Sequence, residues 1–250
     1  MIDVTHRGDV AILTMAHGKA NLFDPEFCGA LAVAFDECGR STAKAVVVTG
    51  RGSIFSGGVD LRRLADGGER YVEAFLPALG RAFEVAFAFP KPLVAAVNGH
   101  AIAGGCILAC AADRRLMARG PGRIGVPELL VGVPFPTIAL EIMRQAVPPP
   151  HLTMLISSGE TVTADVAVQR GLVDTAVDAD RLPEEAEAVA IAMAALPPGA
   201  FEITKNQLRE PARARIREGQ ERFDPVIDRY WAAPGTLEAI RSYINRTLKK

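Results

Sequence analysis

The most informative stretch of the sequence for the fold is residues 92–113, PLVAAVNGHAIAGGCILACAAD. Its first six residues form a short apolar run, which is typical of a strand buried on both faces. Asn98-Gly99 ends that run, and the glycine pair Gly104-Gly105 opens an apolar segment at 106–117 that predicts a helix. Because the first N–H groups of a helix have no partner within it, this glycine-containing bend would present free donors to a ligand.

A second glycine pair follows another predicted strand, in residues 44–61, KAVVVTGRGSIFSGGVDL. The run of β-branched residues ends at Gly50, and residues 51–58 are predicted to form a loop. The pair Gly57-Gly58 lets the backbone turn sharply and lets a ligand come close to main-chain N–H groups. Backbone N–H groups from the two turns could together form an oxyanion hole. Phosphate cradling is the alternative for such turns, but neither turn lies in a GxxxxGKS/T or GxGxxG pattern.

The remaining segments predict a layered α/β fold with a helical C-terminal region. Strands alternate with helices as far as residue 137, and the pattern beyond it is mostly helical. We therefore expect an α/β core over residues 1–195 and, over residues 196–250, a helical region that docks on a neighbouring subunit. The further elements predicted are a β-hairpin at 3–7 and 10–15 and helices at 26–38, 71–89 and 183–195.

Composition places the chain among ordinary globular proteins. Of its 250 residues, 49% are hydrophobic and 23% are charged, and the length suits one large domain or one domain with a small appendage. The net charge of −1 gives no overall field that would attract nucleic acid. The four cysteines include no CxxC pair, so a reducing, cytoplasmic setting is expected.

Neither a signal peptide, a membrane span nor a metal site is expected. The first residues lack the charged and then apolar pattern of a signal peptide. The apolar stretch 83–112 is interrupted by Glu84, Lys91, Asn98 and His100, whereas a span needs about 20 predominantly apolar residues. We interpret that stretch as core. The four histidines share no spacing typical of metal ligands.

Glu128 is the most prominent candidate for an acid or base. It lies between Val126-Pro127 and Leu129-Leu130, where burial would raise its pKa and make it a usable base. The alternative is a surface carboxylate, which is the commonest place for a glutamate. Asp60 is interpreted as the N-cap of the following helix, and Asp113 as a helix-end or ion-pair residue.

Five segments, taken in order, resemble the crotonase superfamily of the enoyl-CoA hydratase/isomerase type over nearly the whole chain. Residues 44–61 resemble its first oxyanion segment, in which F-S-x-G-x-D-L follows a strand, and residues 92–113 resemble its second. Residues 19–22, KANL, resemble its early loop that contacts coenzyme A (CoA). Residues 126–129, VPEL, resemble its P-E segment, and residues 169–174, QRGLVD, resemble the stretch before its C-terminal helices.

This resemblance implies a crotonase-like ββα spiral core with a C-terminal helical trimerisation region, assembled as a homotrimer or as a hexamer of two trimers. It implies an acyl-CoA substrate and no cofactor, since CoA is part of the substrate, and neither nucleic acid nor a membrane as partner. Glu128 would lie beside C2 and C4 of the acyl chain, and the N–H groups of Val59 and Gly104 would polarise the thioester carbonyl. The substrate-binding residues that it implies are Lys19, Ala20, Ser56, Asp60, Leu61 and Arg62, with Arg63 and the C-terminal lysines as further candidates for the CoA phosphates.

Two departures from the family pattern reduce the number of reactions that the resemblance implies. Hydratases that this chain resembles carry a second glutamate two residues after the glycine pair, where this chain has Ile107, and residues 134–137, PFPT, replace a glycine-rich segment. Moving one proton between C2 and C4 needs only one base, so the chain is most similar to single-glutamate Δ3-Δ2-enoyl-CoA isomerases. The alternatives are a hydratase with one acid/base, another acyl-CoA reaction, and an acyl-CoA-binding protein without catalysis.

Overall fold

The structure is a computed structural model that describes residues 1–247, and within them ten strands and eleven helices are formed. The strands are β1 Ile2–Arg7, β2 Val10–Met15, β3 Ala45–Gly50, β4 Ile54–Ser56, β5 Leu93–Val97, β6 His100–Ile102, β7 Arg114–Ala118, β8 Ile124–Gly125, β9 Thr161–Val162 and β10 Thr175–Val177. The helices are α1 Pro25–Arg40, α2 Leu61–Phe87, α3 Gly104–Cys110, α4 Glu128–Val131, α5 Thr137–Ala146, α6 Pro149–Ser158, α7 Ala164–Gln169, α8 Leu182–Ala194, α9 Pro198–Arg222, α10 Asp224–Ala232 and α11 Pro234–Thr247. The predicted hairpin and the helices predicted at 26–38 and 183–195 are confirmed.

Two sheets organise the strands. The larger has the order β1-β2-β3-β5-β7-β10, in which β1 and β2 are antiparallel and every other neighbouring pair is parallel. The smaller has the order β4-β6-β8-β9, and its first three strands run parallel to one another. The α/β architecture that the alternating sequence pattern predicts is therefore present.

The central strands β3 and β5 of the larger sheet are buried on both faces, as their apolar sequences require. In β3, Val46 and Val48 point into the main core, and Val47 on the other face contributes to a second cluster with Leu182 and Ala186 of α8. Successive side chains of a strand point to opposite faces, so a strand covered on both sides must be apolar throughout. This explains why residues 45–48 and 92–97 are continuous apolar runs.

The helix predicted at 106–117 is wrong in its second half. The helix α3 ends at Cys110, and the strand β7 occupies residues 114–118. This strand lies between β5 and β10, with Leu116 opposite Ala96 on one side and Thr175 on the other. A continuous apolar run does not distinguish a buried helix from a buried strand. Residues 114–118 form a strand because they lie between two other strands of the sheet.

Two further boundaries differ from the prediction. The predicted loop at 51–58 contains β4, which pairs with β6. The helix predicted at 71–89 begins earlier, because Asp60 caps α2 by accepting a hydrogen bond from the Arg63 N–H at 3.0 Å. Gly68, with φ of +64°, then kinks the helix and separates a short first part from the longer part that the sequence predicted.

The C-terminal helices pack on the core of their own chain. The helix α9 packs against α5, and α10 and α11 pack against α2. Asp113, which lies between α3 and β7, is 2.6 Å from Lys205 Nζ and 2.7 Å from Arg209 Nη2 of α9. The interpretation of Asp113 as an ion-pair residue is thus confirmed, whereas docking of residues 196–250 on a neighbouring subunit stays a prediction.

Among the described residues, no single helix is long and apolar enough to cross a membrane; one bent pair, α8 with α9, meets the length and composition criteria together. The four cysteines are free and buried. Within residues 1–247, no group of three or more histidine, cysteine, aspartate or glutamate side chains is arranged to hold a metal ion.

Candidate active site

The two glycine turns predicted from the sequence lie side by side. The strands β4 and β6 that precede them pair in parallel, with Ser56 opposite Ala101, so both turns leave the small sheet at the same edge. A Cβ atom at Gly58 would lie 2.7 Å from the carbonyl oxygen of Ile102 and 3.0 Å from the Cβ atom of Ala103. Because Gly58 also has φ of +89°, only glycine allows the two turns to approach so closely.

The backbone N–H groups of Val59 and Gly104 have no hydrogen-bond acceptor among residues 1–247. Val59 forms a parallel bridge with Phe23, in which the Phe23 N–H donates to Gly58 O at 2.8 Å and the Asp60 N–H donates to Phe23 O at 2.9 Å. The N–H of Val59 itself therefore points away from Phe23. Gly104 is the first residue of α3, and an N–H at that position has no acceptor within its own helix.

Glu128 begins the short helix α4 and is only 6% exposed. Its Oε2 atom is buried and has no hydrogen-bond partner in the part of the chain that the structure describes. Burial disfavours the charged carboxylate and raises the pKa of Glu128 from 4.5 to about 8. A carboxyl group with a pKa near neutrality can both accept and return a proton at physiological pH.

A mainly apolar cavity of about 360 Å³ joins these groups. Val59 and Ala103 line it on the side of the two turns, Glu128 contributes its carboxyl group, and Leu22 and Val131 are among the apolar side chains of the wall. Gly104 directly follows Ala103 in the chain. One buried carboxyl group and the two turns with unbonded N–H groups thus border a pocket of the kind that takes an apolar ligand with a carbonyl group.

Comparison with known proteins identifies the family to which this site belongs. The family profile described as Enoyl-CoA hydratase/isomerase matches residues 5–232. The chain belongs to the enoyl-CoA hydratase/isomerase family. This membership confirms the crotonase superfamily that the ordered sequence segments predicted.

Several proteins are similar to this enoyl-CoA hydratase/isomerase family member. A putative enoyl-CoA hydratase of Thermus thermophilus is 33% identical over 246 residues, which cover 96% of each chain. The solved structure of a probable enoyl-CoA hydratase of Mycobacterium tuberculosis has 30% identity and a TM-score of 0.84, covering 90% of this chain and 95% of that one. The human mitochondrial Δ3-Δ2-enoyl-CoA isomerase has a TM-score of 0.93 at 22% identity, covers 99% of this chain and 98% of its own, and shows the fold alone. These structures confirm the predicted crotonase-like fold.

Most of the residues predicted to bind substrate in this family member border the same cavity. Ala20 lies in the loop before α1, and Asp60, Leu61 and Arg62 lie at the start of α2. The capping of α2 by Asp60 fixes where that helix starts, and with it the position of the two residues that follow. The structure therefore brings these four residues together with Val59 and Glu128.

Ser56 and Lys19, two further predicted substrate-binding residues, lie outside the cavity lining. Ser56 is fully buried; its hydroxyl donates to Asn21 O at 2.7 Å and accepts from the Gly58 N–H at 3.1 Å. It thereby fixes the turn that carries Val59. Lys19 is exposed and precedes Ala20 at the edge of the cavity, where the structure records no contact for it.

Arg63, a further candidate for the CoA phosphates, is engaged with acidic side chains. Its Nη1 atom lies 2.7 Å from Asp24 Oδ2 and 2.8 Å from Glu26 Oε2. Asp24 also caps α1 by accepting from the Phe27 N–H at 2.7 Å, so Arg63 ties the start of α2 to the start of α1. The lysines at 249 and 250 lie outside the described residues, and their role stays a prediction.

The C-terminal helices supply a part of the cavity that the sequence did not predict. Trp231 of α10 and Tyr243 of α11 both line it, together with Val133 from the segment before α5. The pKa of Tyr243 is raised, first by burial and then by the nearby Glu128 carboxylate. Trp231 is the single tryptophan of the chain, but only the packing of α10 on α2 reveals that it faces the site.

Burial of Glu128 predicts a pH-dependent contribution to stability. Its pKa is about 8 in the folded chain and near 4.5 when unfolded, so the folded state binds more protons between these values. The free energy of unfolding should therefore fall as pH rises from about 4.5 to 8, by at most about 1.4 kcal/mol per pH unit from this group. In thermal melts, the Tm of Glu128→Gln minus that of wild type should grow from pH 5 to pH 8. A constant difference would contradict the raised pKa.

Proposed function

We propose that this family member moves a carbon–carbon double bond of an enoyl-CoA thioester from the Δ3 to the Δ2 position. The observation that supports the proposal is the buried carboxyl group of Glu128, whose Oε2 atom has no hydrogen-bond partner in the described chain, in one apolar cavity with two turns that carry unbonded N–H groups. A thioester needs both features, because negative charge develops on its oxygen when a proton leaves C2.

The proposed reaction has two proton transfers through one group. The N–H groups of Val59 and Gly104 donate to the thioester oxygen, and the Glu128 carboxylate takes a proton from C2. The electron pair of that C–H bond forms the C2=C3 bond, while the pair of the former C3=C4 bond takes back the proton from Glu128 at C4. No atom is gained or lost, and the reaction needs no cofactor beyond the CoA of the substrate.

Ile107 favours isomerisation over hydration in this proposal. It is 3% exposed and packs in the main core, outside the cavity lining. Hydration is helped by a second group that activates water while the first manages the proton at C2, and an isoleucine side chain cannot accept a proton. The alternative, a hydratase with one acid/base, is supported by the similarity to the Thermus thermophilus protein described as a putative enoyl-CoA hydratase.

The experiment that tests the proposal compares the two activities of the wild-type protein. Incubation with a 3-enoyl-CoA and with a 2-enoyl-CoA, followed by the ultraviolet absorbance of the conjugated thioester, measures isomerisation and hydration separately. We expect isomerisation to be faster by about 10²-fold or more, the size of a missing acid/base contribution. Equal rates would contradict the one-base assignment, and the absence of both would favour the non-catalytic acyl-CoA-binding protein.

We further propose that the protein assembles as a homotrimer or as a hexamer of two trimers. Large apolar side chains are exposed on the neighbouring helices α4 and α6, namely Leu129, Leu130 and Met154. Contiguous exposed apolar side chains on a soluble protein commonly mark an interface. Light scattering at micromolar concentration should give three or six times the mass of one chain, and a monomer throughout would contradict the proposal.

A further inference from the structure

Trp231 forms a rigid part of the cavity wall. It is 2% exposed, and its indole Nε1–H donates to the carbonyl oxygen of Pro134 at 2.9 Å. The helix that carries it is held at its start, where Asp224 accepts from the Thr137 N–H at 3.0 Å and from its hydroxyl at 2.6 Å. A ring that is buried and hydrogen-bonded at its edge cannot turn aside for a longer ligand without losing that bond.

The exposure of the lining residues shows which end of the cavity is closed. Arg62 is exposed and Leu61 is half-buried, so the start of α2 borders the open side. Glu128 is 6% exposed, and Val133 and Trp231 are both 2% exposed, so this part of the wall is closed to solvent. A ligand that enters past α2 therefore ends against a buried wall to which Trp231 belongs.

The volume of the cavity limits what fits between these two ends. A cavity of about 150 Å³ holds benzene, so the cavity of about 360 Å³ holds roughly fourteen non-hydrogen atoms at the same density. The thioester sulfur and oxygen and the last atoms of the pantetheine arm occupy about four of these places. About ten remain for the carbon atoms of an acyl chain.

We infer that Trp231 is a specificity-determining residue that closes the acyl end of the cavity and restricts the ligand to straight acyl chains of about ten carbons or fewer. The inference rests on the proposed function for the identity of the ligand as an acyl thioester. It does not depend on which reaction the thioester undergoes, since the wall acts on the saturated end of the chain.

Binding of saturated acyl-CoAs tests this role without any turnover. The dissociation constants of thioesters with four to sixteen carbons are measured by titration calorimetry for the wild type and for Trp231→Leu. For the wild type we expect affinity to rise by about fourfold per methylene and then to stop rising near ten carbons. In Trp231→Leu, the chain length at which affinity stops rising should increase by at least about two carbons. The affinity for the twelve-carbon thioester divided by that for the eight-carbon thioester should then rise by about tenfold or more.

The adjacent Tyr230 provides the matched control. It lies on the same helix, is 54% exposed and does not line the cavity, so Tyr230→Leu should leave the chain-length profile unchanged. Large-to-small changes at buried aromatic residues destabilise proteins. If melting curves show that Trp231→Leu is unfolded, Trp231→Phe is measured in its place. We expect its ratio of twelve-carbon to eight-carbon affinity to change by about threefold.

The outcomes separate this inference from the proposed function. A chain-length limit that moves with Trp231 supports the inference even if no isomerisation is detected. An unchanged profile in a folded Trp231 variant overturns it even if isomerisation is fast. The inference is also overturned if the affinity of the wild type keeps rising up to sixteen carbons. The same holds if Tyr230→Leu changes the chain-length limit as much as Trp231→Leu does.

Discussion

Replacing Glu128 with glutamine should lower kcat by at least about 10²–10⁴-fold, the usual contribution of a general base, and leave the affinity for acyl-CoA within a few-fold of wild type. Glutamine has nearly the same size and keeps hydrogen-bonding capacity, but it cannot take a proton from C2. The loss should appear in kcat and not in binding, because the proton moves only in the chemical step. Steady-state kinetics on a 3-enoyl-CoA and calorimetric binding of a saturated acyl-CoA measure the two quantities.

A matched change elsewhere separates catalysis from damage to the fold. Glu184 is exposed on α8, so Glu184→Gln should leave kcat, affinity and Tm unchanged. At pH 8, Glu128→Gln should melt at or above the wild-type temperature, since it removes a buried ionisable group. Isomerase activity close to wild type in Glu128→Gln would eliminate Glu128 as the base and direct attention to Asp60 or His100, beside the two turns.

Replacing Gly58 with alanine should lower kcat/KM by about 10²–10³-fold, the usual effect of losing one oxyanion donor. The added Cβ atom would lie 2.7 Å from Ile102 O, so the two turns must separate and the N–H of Val59 would move away from that of Gly104. Kinetics on a 3-enoyl-CoA measure the effect. The acyl chain binds mainly to other parts of the cavity, so acyl-CoA affinity should change less than the rate.

Gly52 supplies the control for backbone strain. Its φ is +75°, similar to that of Gly58, but an added Cβ atom at Gly52 meets no other atom within 4 Å. Gly52→Ala should therefore cost about 1 kcal/mol of stability from backbone strain alone, without loss of activity. If both variants lose activity equally, general destabilisation explains the result, and the close approach of the two turns is not the cause.

Local sequence patterns were enough to predict the fold class, the two glycine turns and Glu128. Short apolar runs bounded by glycine predicted buried strands, since a strand covered on both faces has no position for a polar side chain. The glycine pairs at 57–58 and 104–105 predicted sharp turns, because only glycine tolerates the close backbone approach that Gly58 makes. Ordered segments then predicted the family, which the match over residues 5–232 confirms, and singled out Glu128.

Two features depend on packing between distant segments and could not be predicted from the sequence. One is the point at which the helix after Gly105 ends, and the other is the residue that closes the cavity. Residues 114–118 become a strand because β5 and β10 lie on either side of them, and this neighbourhood is invisible to local periodicity. Trp231 and Glu128 line the same cavity although more than a hundred residues of chain separate them, because α10 packs against α2. The raised pKa of Glu128 has the same origin, because burial depends on which distant segments exclude water from its carboxyl group.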